Sequence, residues 1–173
     1  MWENTYRTLM DYGVALREQY KSNLESNNRR ATGDLLDSIS VGVEVGEREW
    51  TVFLELATYW KYVENDTPPH YPPLDAIKEW IHAKPIKALP DGRGRVPTDD
   101  QLAFLIGRAM AGQSPNQALC KNPNGGTKGT HDLENAQDKI FYEFEEKLAE
   151  AVLDDVAGDI GAFIELYFPK LPE

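Results

Sequence analysis

Residues 39–57 read ISVGVEVGEREWTVFLELA, and their apolar side chains recur at every second position. Ile39, Val41, Val43 and Val45 alternate with Ser40, Gly42 and Glu44. After GERE the pattern resumes with Trp50, Val52, Leu54 and Leu56. A period of two puts one set of side chains on one face of a strand, and β-branched residues favour that backbone. With GERE as the turn, residues 38–58 are expected to form a β-hairpin with one face buried.

Outward from the hairpin the period changes to that of helices. Tyr6, Leu9, Gly13, Leu16, Tyr20 and Leu24 form one stripe of a helix over residues 4–25. SNNRRATG interrupts it, and Thr32 can cap a short turn through GDLLDS. On the C-terminal side, a helical turn around Tyr59–Glu64 runs into NDTPPHYPP, which four prolines make stiff and extended. Leu74, Ile77, Trp80 and Ile81 stripe a short helix that Pro73 opens and Pro85 closes. Thr98, followed by two aspartates, caps a further helix with Leu102, Leu105, Ile106 and Ala109 on its core face, ending near Gly112. Leu133, Ala136, Ile140, Phe144, Leu148, Val152, Val156, Ile160 and Phe163 mark a long helix over about residues 131–160, kinked or ended by Gly158 and Gly161. The tail, residues 165–173, holds Tyr167 and Phe168 outside any clear periodicity. These elements add up to an α+β fold in one domain, residues 1–173: a small antiparallel sheet centred on the hairpin, packed by helices, with a long C-terminal helix.

Composition narrows the function classes. The 173 residues carry a formal net charge of −11, which repels phosphate backbones and disfavours a DNA-coating role. Between His131 and Asp159 stand ten acidic and two basic residues, so the last helix supplies most of that charge. No apolar run approaches the ~20 residues of a membrane span, and the first residues lack a basic region followed by an apolar core. One cysteine, Cys120, excludes an intrachain disulfide and a cysteine-rich zinc site and fits a reducing cytoplasm.

Candidate chemistry is sparse. His70, His82 and His131 are not spaced as metal ligands, and no cofactor is expected. GGTKGT, residues 125–130, lacks the spacing and the preceding strand of a phosphate-binding loop. Cys120 has no base arranged beside it, and the carboxylate pairs Asp154–Asp155 and Glu145–Glu146 read as a solvated helix face. Lys84, Lys87, Arg93 and Arg95 cluster in PIKALPDGRGRVP and its flank. They are either solvated loop charges or a surface that meets the acidic helix of an identical neighbour.

RATGDLLDSI, residues 30–39, resembles the T-G-x-L-x-x-S-I signature of small tail-component proteins of long-tailed bacteriophages, described as tail-completion or head–tail joining (neck) proteins. The signature positions here are Thr32, Gly33, Leu35, Ser38 and Ile39. The family continues with a hairpin, a segment like YWKYVENDT, then PPLDAIKEWI, a helix comparable to LAFLIGRAM, a loop like GGTKGTH and a long helix. The similarity spans residues ~30–150 in order. Trp60 stands where the family has a small residue, Asn65-Asp66 where it has glycine, and loops 85–97 and 113–130 are longer.

The resemblance implies a structural virion protein that is not an enzyme. Copies would form a ring joining the head portal or adaptor to the tail tube or its terminator, assembled in the host cytoplasm, with DNA passing through without specific binding. The acidic helix facing that channel is a further expectation. Within the fold, Tyr59, Tyr62 and Val63 are expected to close the apolar face of the sheet. Glu64 is expected to accept turn amides, and Trp80 and Ile81 to anchor their helix on the sheet. Two other readings stay open: a small hydrolase using Cys120 or a carboxylate with His131, and a regulatory adaptor binding a phage or host protein through YFPKLPE.

Overall fold

The computed structural model describes residues 2–27, 33–84, 86–90, 92–113 and 124–168. The chain has the expected α+β architecture, in the order α1 (Glu3–Ser26), α2 (Asp34–Ser38), β1 (Ser40–Val45), β2 (Trp50–Glu55), α3 (Trp60–Glu64), α4 (Leu74–Ala83), α5 (Asp99–Met110) and α6 (Asp132–Tyr167). Its contacts group into two units that the periodicity did not separate. One comprises Met1–Asn28, Leu35–Ala57 and Asp132–Glu173, and the other Arg29–Asp34 and Thr58–His131. No helix among the described residues is long and apolar enough to cross a membrane.

In the first unit, β1 and β2 form a two-stranded antiparallel sheet in which Val41 faces Leu54, Val43 faces Val52 and Val45 faces Trp50. The GERE turn closes where Gly46 N–H donates to Glu49 O at 2.9 Å. α1 covers this face at Gly13, where a Cβ would collide with Val41 and Val52. The buried stripe of α1 is Thr5, Gly13, Leu16, Tyr20 and Leu24. Thr5, not Tyr6, continues it, because steps of four from Gly13 pass through Leu9 to position 5. On the other face Phe53 lays its ring over Gly42, its cross-strand partner.

α6 runs antiparallel to α1, and polar contacts tie the pair along its length. Asn23 Nδ2 donates to Asp132 O (2.9 Å) and Asn27 Nδ2 to Asp132 Oδ1 (2.5 Å). Lys139 Nζ meets Gln19 Oε1 (2.9 Å), and Trp2 Nε1 donates to Asp159 Oδ2 (2.8 Å). Ala136, Ile140 and Ala151 are buried between these contacts. The helix does not stop at the glycines. It continues through Gly158 and Gly161 to Tyr167, because neither glycine is crowded and helical hydrogen bonding outweighs their propensity cost of about 1 kcal/mol each.

The second unit is built on α4 and α5, with Ile77, Ile81 and Ala103 buried and Leu102 and Ile106 packed against them. Thr98 caps α5 in a capping box with Gln101. Charge adds to the α4–α5 contact through Lys78, whose Nζ lies 2.5 Å from Asp100, and His82 Nε2 lies 3.6 Å from Asp99. The hydrogen bond and charge of Asp100 raise the Lys78 pKa, against a smaller opposing effect of desolvation.

Candidate functional site

The signature residues near α2 form a structural joint. Gly33 has φ +103°, a conformation that side-chain-bearing residues rarely adopt. Leu35 and Ile39 are buried on either side of the joint. Ser38 uses both roles of its hydroxyl, donating to Leu35 O at 2.8 Å and accepting Ala57 N–H at 3.0 Å. α2 is thereby fastened to Ala57, two residues beyond the end of β2. Thr32 lies outside the described residues.

YWKYVENDT and GGTKGTH, more than fifty residues apart, are brought together as a ribbon. Thr67 and Thr127 exchange backbone hydrogen bonds of 2.8 and 3.0 Å. Asp66 Oδ1 accepts Gly129 N–H at 2.9 Å, and the carbonyls of Val63 and Glu64 accept the N–H groups of Thr130 (3.4 Å) and His131 (3.2 Å). A Cβ on Gly129 would enter the carbonyl of Glu64, and Gly126, at φ +77°, faces the Thr67 carbonyl. The glycines of this loop let two backbones meet. That close approach is the structural reason for the glycines of GGTKGT. Glu64 is buried, and Asp66 is the side chain that receives the Gly129 amide.

Two expected anchors change place. Tyr62 is 70% exposed and does not close an apolar face. Trp80 is 41% exposed, while its neighbour Ile81 is buried against Ala103 of α5. The apolar stripe of α4 therefore packs on α5, and Trp80 sits one step off it. Trp80 and Tyr62 instead wall a hollow of roughly 470 Å³ with Val63, Pro72, Ile106 and Met110. The proline-rich stretch helps shape this hollow, and Tyr71 packs its ring over Gly107.

The basic cluster and the aromatic end lie at the surface. Lys84 forms the C-cap of α4, and Lys87, Arg93 and Arg95 are exposed in the loop leading to α5. Arg95 borders a second hollow, with Leu89, Val96, Phe104 and Leu105, of roughly 570 Å³. Tyr167 and Phe168 are 62% and 72% exposed, Tyr167 within α6 and Phe168 directly after it. His131 takes a left-handed φ of +52° just before α6, and Cys120 lies outside the described residues.

Sequence reasoning missed the acceptors that close the first unit. Asp155 is more than a solvated charge. Its carboxylate accepts Thr5 N–H (2.8 Å), Asn4 N–H (3.2 Å) and Asn4 Nδ2 (3.0 Å), supplying from α6 the cap that α1 lacks at its own start. Desolvation pushes the Asp155 pKa up, and the hydrogen bonds from Thr5 and Asn4 together outweigh it, leaving it below the ordinary 3.8. Asp132, buried at 1% exposure, holds the other end of α1 differently, accepting the side-chain amides of Asn23 and Asn27 through its backbone and side-chain oxygens. Asn23 and Asn27, spaced one turn apart, were the available signal.

Among the described residues no three His, Cys, Asp or Glu side chains converge as a metal site. The described residues present apolar hollows and a basic loop in the second unit and an aromatic helix end in the first. No known protein family, curated protein or solved structure matches the chain.

Proposed function

We propose that the chain is a structural component of the neck or tail of a long-tailed bacteriophage virion. Copies close into a ring between the head portal or adaptor and the tail tube or its terminator, and DNA passes through the ring without specific binding. Assembly takes place in the host cytoplasm, and the chain acts by shape, transforming no molecule.

One observation carries the reading. The segments that resemble the tail-component family also have interlocking structural roles: Gly33, Leu35, Ser38 and Ile39 build the joint around α2, and ENDT zips to GGTKGTH. The remaining exposed surface, with its hollows and aromatic end, suits a protein that meets neighbours.

The test is co-expression with portal, adaptor and tail-tube proteins, followed by native mass spectrometry and negative-stain imaging. The expected result is a closed ring of several copies bound to at least one of these partners. Monomers throughout, with every partner present and folded, would refute the proposal.

A further inference from the structure

Among the described residues β1 and β2 make up the whole sheet of the first unit, so each strand has an outer edge. At the turn, Gly46 and Glu49 face each other as a hydrogen-bonded pair. Along an antiparallel ladder such pairs alternate with pairs whose backbone groups point away from each other. Followed through the register, Glu44 bonds to Thr51 and Gly42 to Phe53, and the N–H and C=O groups of Trp50, Val52 and Leu54 turn to the outer edge of β2. Among the described residues none donates to these groups or accepts from them. An unpaired edge of this kind is a template for another strand.

The side chains of the same three residues point to the helix face, and there a hollow of roughly 210 Å³ adjoins Val52. Leu9 and Tyr12 of α1 and Phe141, Phe144 and Leu148 of α6 form its apolar walls, and Glu145 is its one charged lining residue. No residue of β1 lines it, so the hollow lies on the β2 side of α1, under α6. α1 packs on both strands, whereas α6 packs along α1 and hardly touches either strand. The apolar flank of α6 at Phe141 and Phe144 therefore overhangs the open edge of β2 with no strand of its own beneath it.

We infer that the β2 edge takes up an extended segment of a partner protein as a third strand, with apolar residues at alternate positions and its central side chain in this hollow. Edge and hollow together supply what strand addition uses: main-chain hydrogen bonds for affinity and a side-chain pocket for specificity. A second folded copy does not fit, because its strands carry their own α1 on the apolar face, into the space that α6 occupies. Turned over, they would set the exposed Ser40, Glu44, Thr51 and Glu55 against apolar walls. The chain's own last residues, PKLPE, hold two prolines, which cannot donate to a ladder. The occupant is thus a strand without a helix on it, and a net charge of −11 favours basic flanks. The inference goes beyond the ring reading and does not depend on it.

Nuclear magnetic resonance on the isotope-labelled full chain tests it with the blocked peptide KVTFTVK, which sets Val, Phe and Val on one face. Binding is expected with a Kd of about 10–500 μM, the range open to one added strand and one filled hollow. The amides of Trp50, Val52 and Leu54 should shift and gain protection from hydrogen exchange. The same peptide methylated on its valine and phenylalanine nitrogens cannot donate to the edge and should bind at least about tenfold more weakly. Phe141→Asp, at a half-exposed wall position, should weaken binding at least about fivefold with an unchanged circular dichroism spectrum. The methylated peptide is read on the wild type, so the test survives a variant that misfolds. No binding at about 1 mM peptide, equal binding of the methylated peptide, or undiminished binding by a folded Phe141→Asp variant each overturns the inference. So does protection of the Trp50, Val52 and Leu54 amides that rises with protein concentration in the free chain, which would put a second copy on the edge.

Discussion

Ser38 shows how much one hydroxyl can hold at the scale of a residue. It bridges the end of α2 to Ala57, two residues beyond β2, and Ser38→Ala removes both hydrogen bonds at once. The expected loss is about 1–2 kcal/mol in urea denaturation, and Ser38→Thr should recover part of it. Asp155 gives a pH-dependent counterpart. Its folded pKa lies below the ordinary 3.8, so the stability it contributes is present above that value and is lost as pH falls through the folded pKa. Asp155→Asn removes the titrating group. The stability gap between wild type and variant should therefore shrink as pH falls below about 4, as read from thermal midpoints at each pH. A gap independent of pH would mean that Asp155 does not cap α1 as a carboxylate.

At the scale of elements, α4 separates two neighbours that the sequence treated alike. Ile81 is buried in the α4–α5 core, whereas Trp80 stands at the edge of an open hollow. Ile81→Ala should cost about 2–4 kcal/mol, and Trp80→Ala less than about 1.5 kcal/mol, since much of its surface already meets water. Equal losses would restore Trp80 as an anchor. The same contrast explains what was legible. Strand alternation at Val41–Val45 and Trp50–Leu54, the Thr98 cap and the α1 stripe depend on local spacing, and all could be read directly. The partner of α4, the Asp155 cap and the 64–67 to 127–131 ribbon depend on residues distant in the chain, and no local periodicity encodes them. Gly158 and Gly161 misled for a related reason. Propensity marks where a helix is weak and does not fix where it ends.

At the scale of the whole molecule, charge is unevenly distributed. α6 alone holds eleven acidic and two basic residues, while Lys87, Arg93 and Arg95 sit exposed on one loop. Duplex DNA should therefore show no measurable binding in fluorescence anisotropy at about 0.15 M salt. Binding that strengthens as salt falls would point to the basic loop as a phosphate contact and count against passive passage of DNA.

The clasping of α1 by Asp132 and Asp155 also has a consequence for biosynthesis. Helix α1 leaves the ribosome before the rest of its unit, but the carboxylate that caps its start and the oxygens that hold Asn23 and Asn27 are made more than a hundred residues later. Residues 58–131, by contrast, are nearly sufficient for their own unit and are translated without interruption. Translation order therefore favours maturation from the middle of the chain outward, with the N-terminal segment waiting, exposed to chaperones and proteases, until its late-arriving mate emerges.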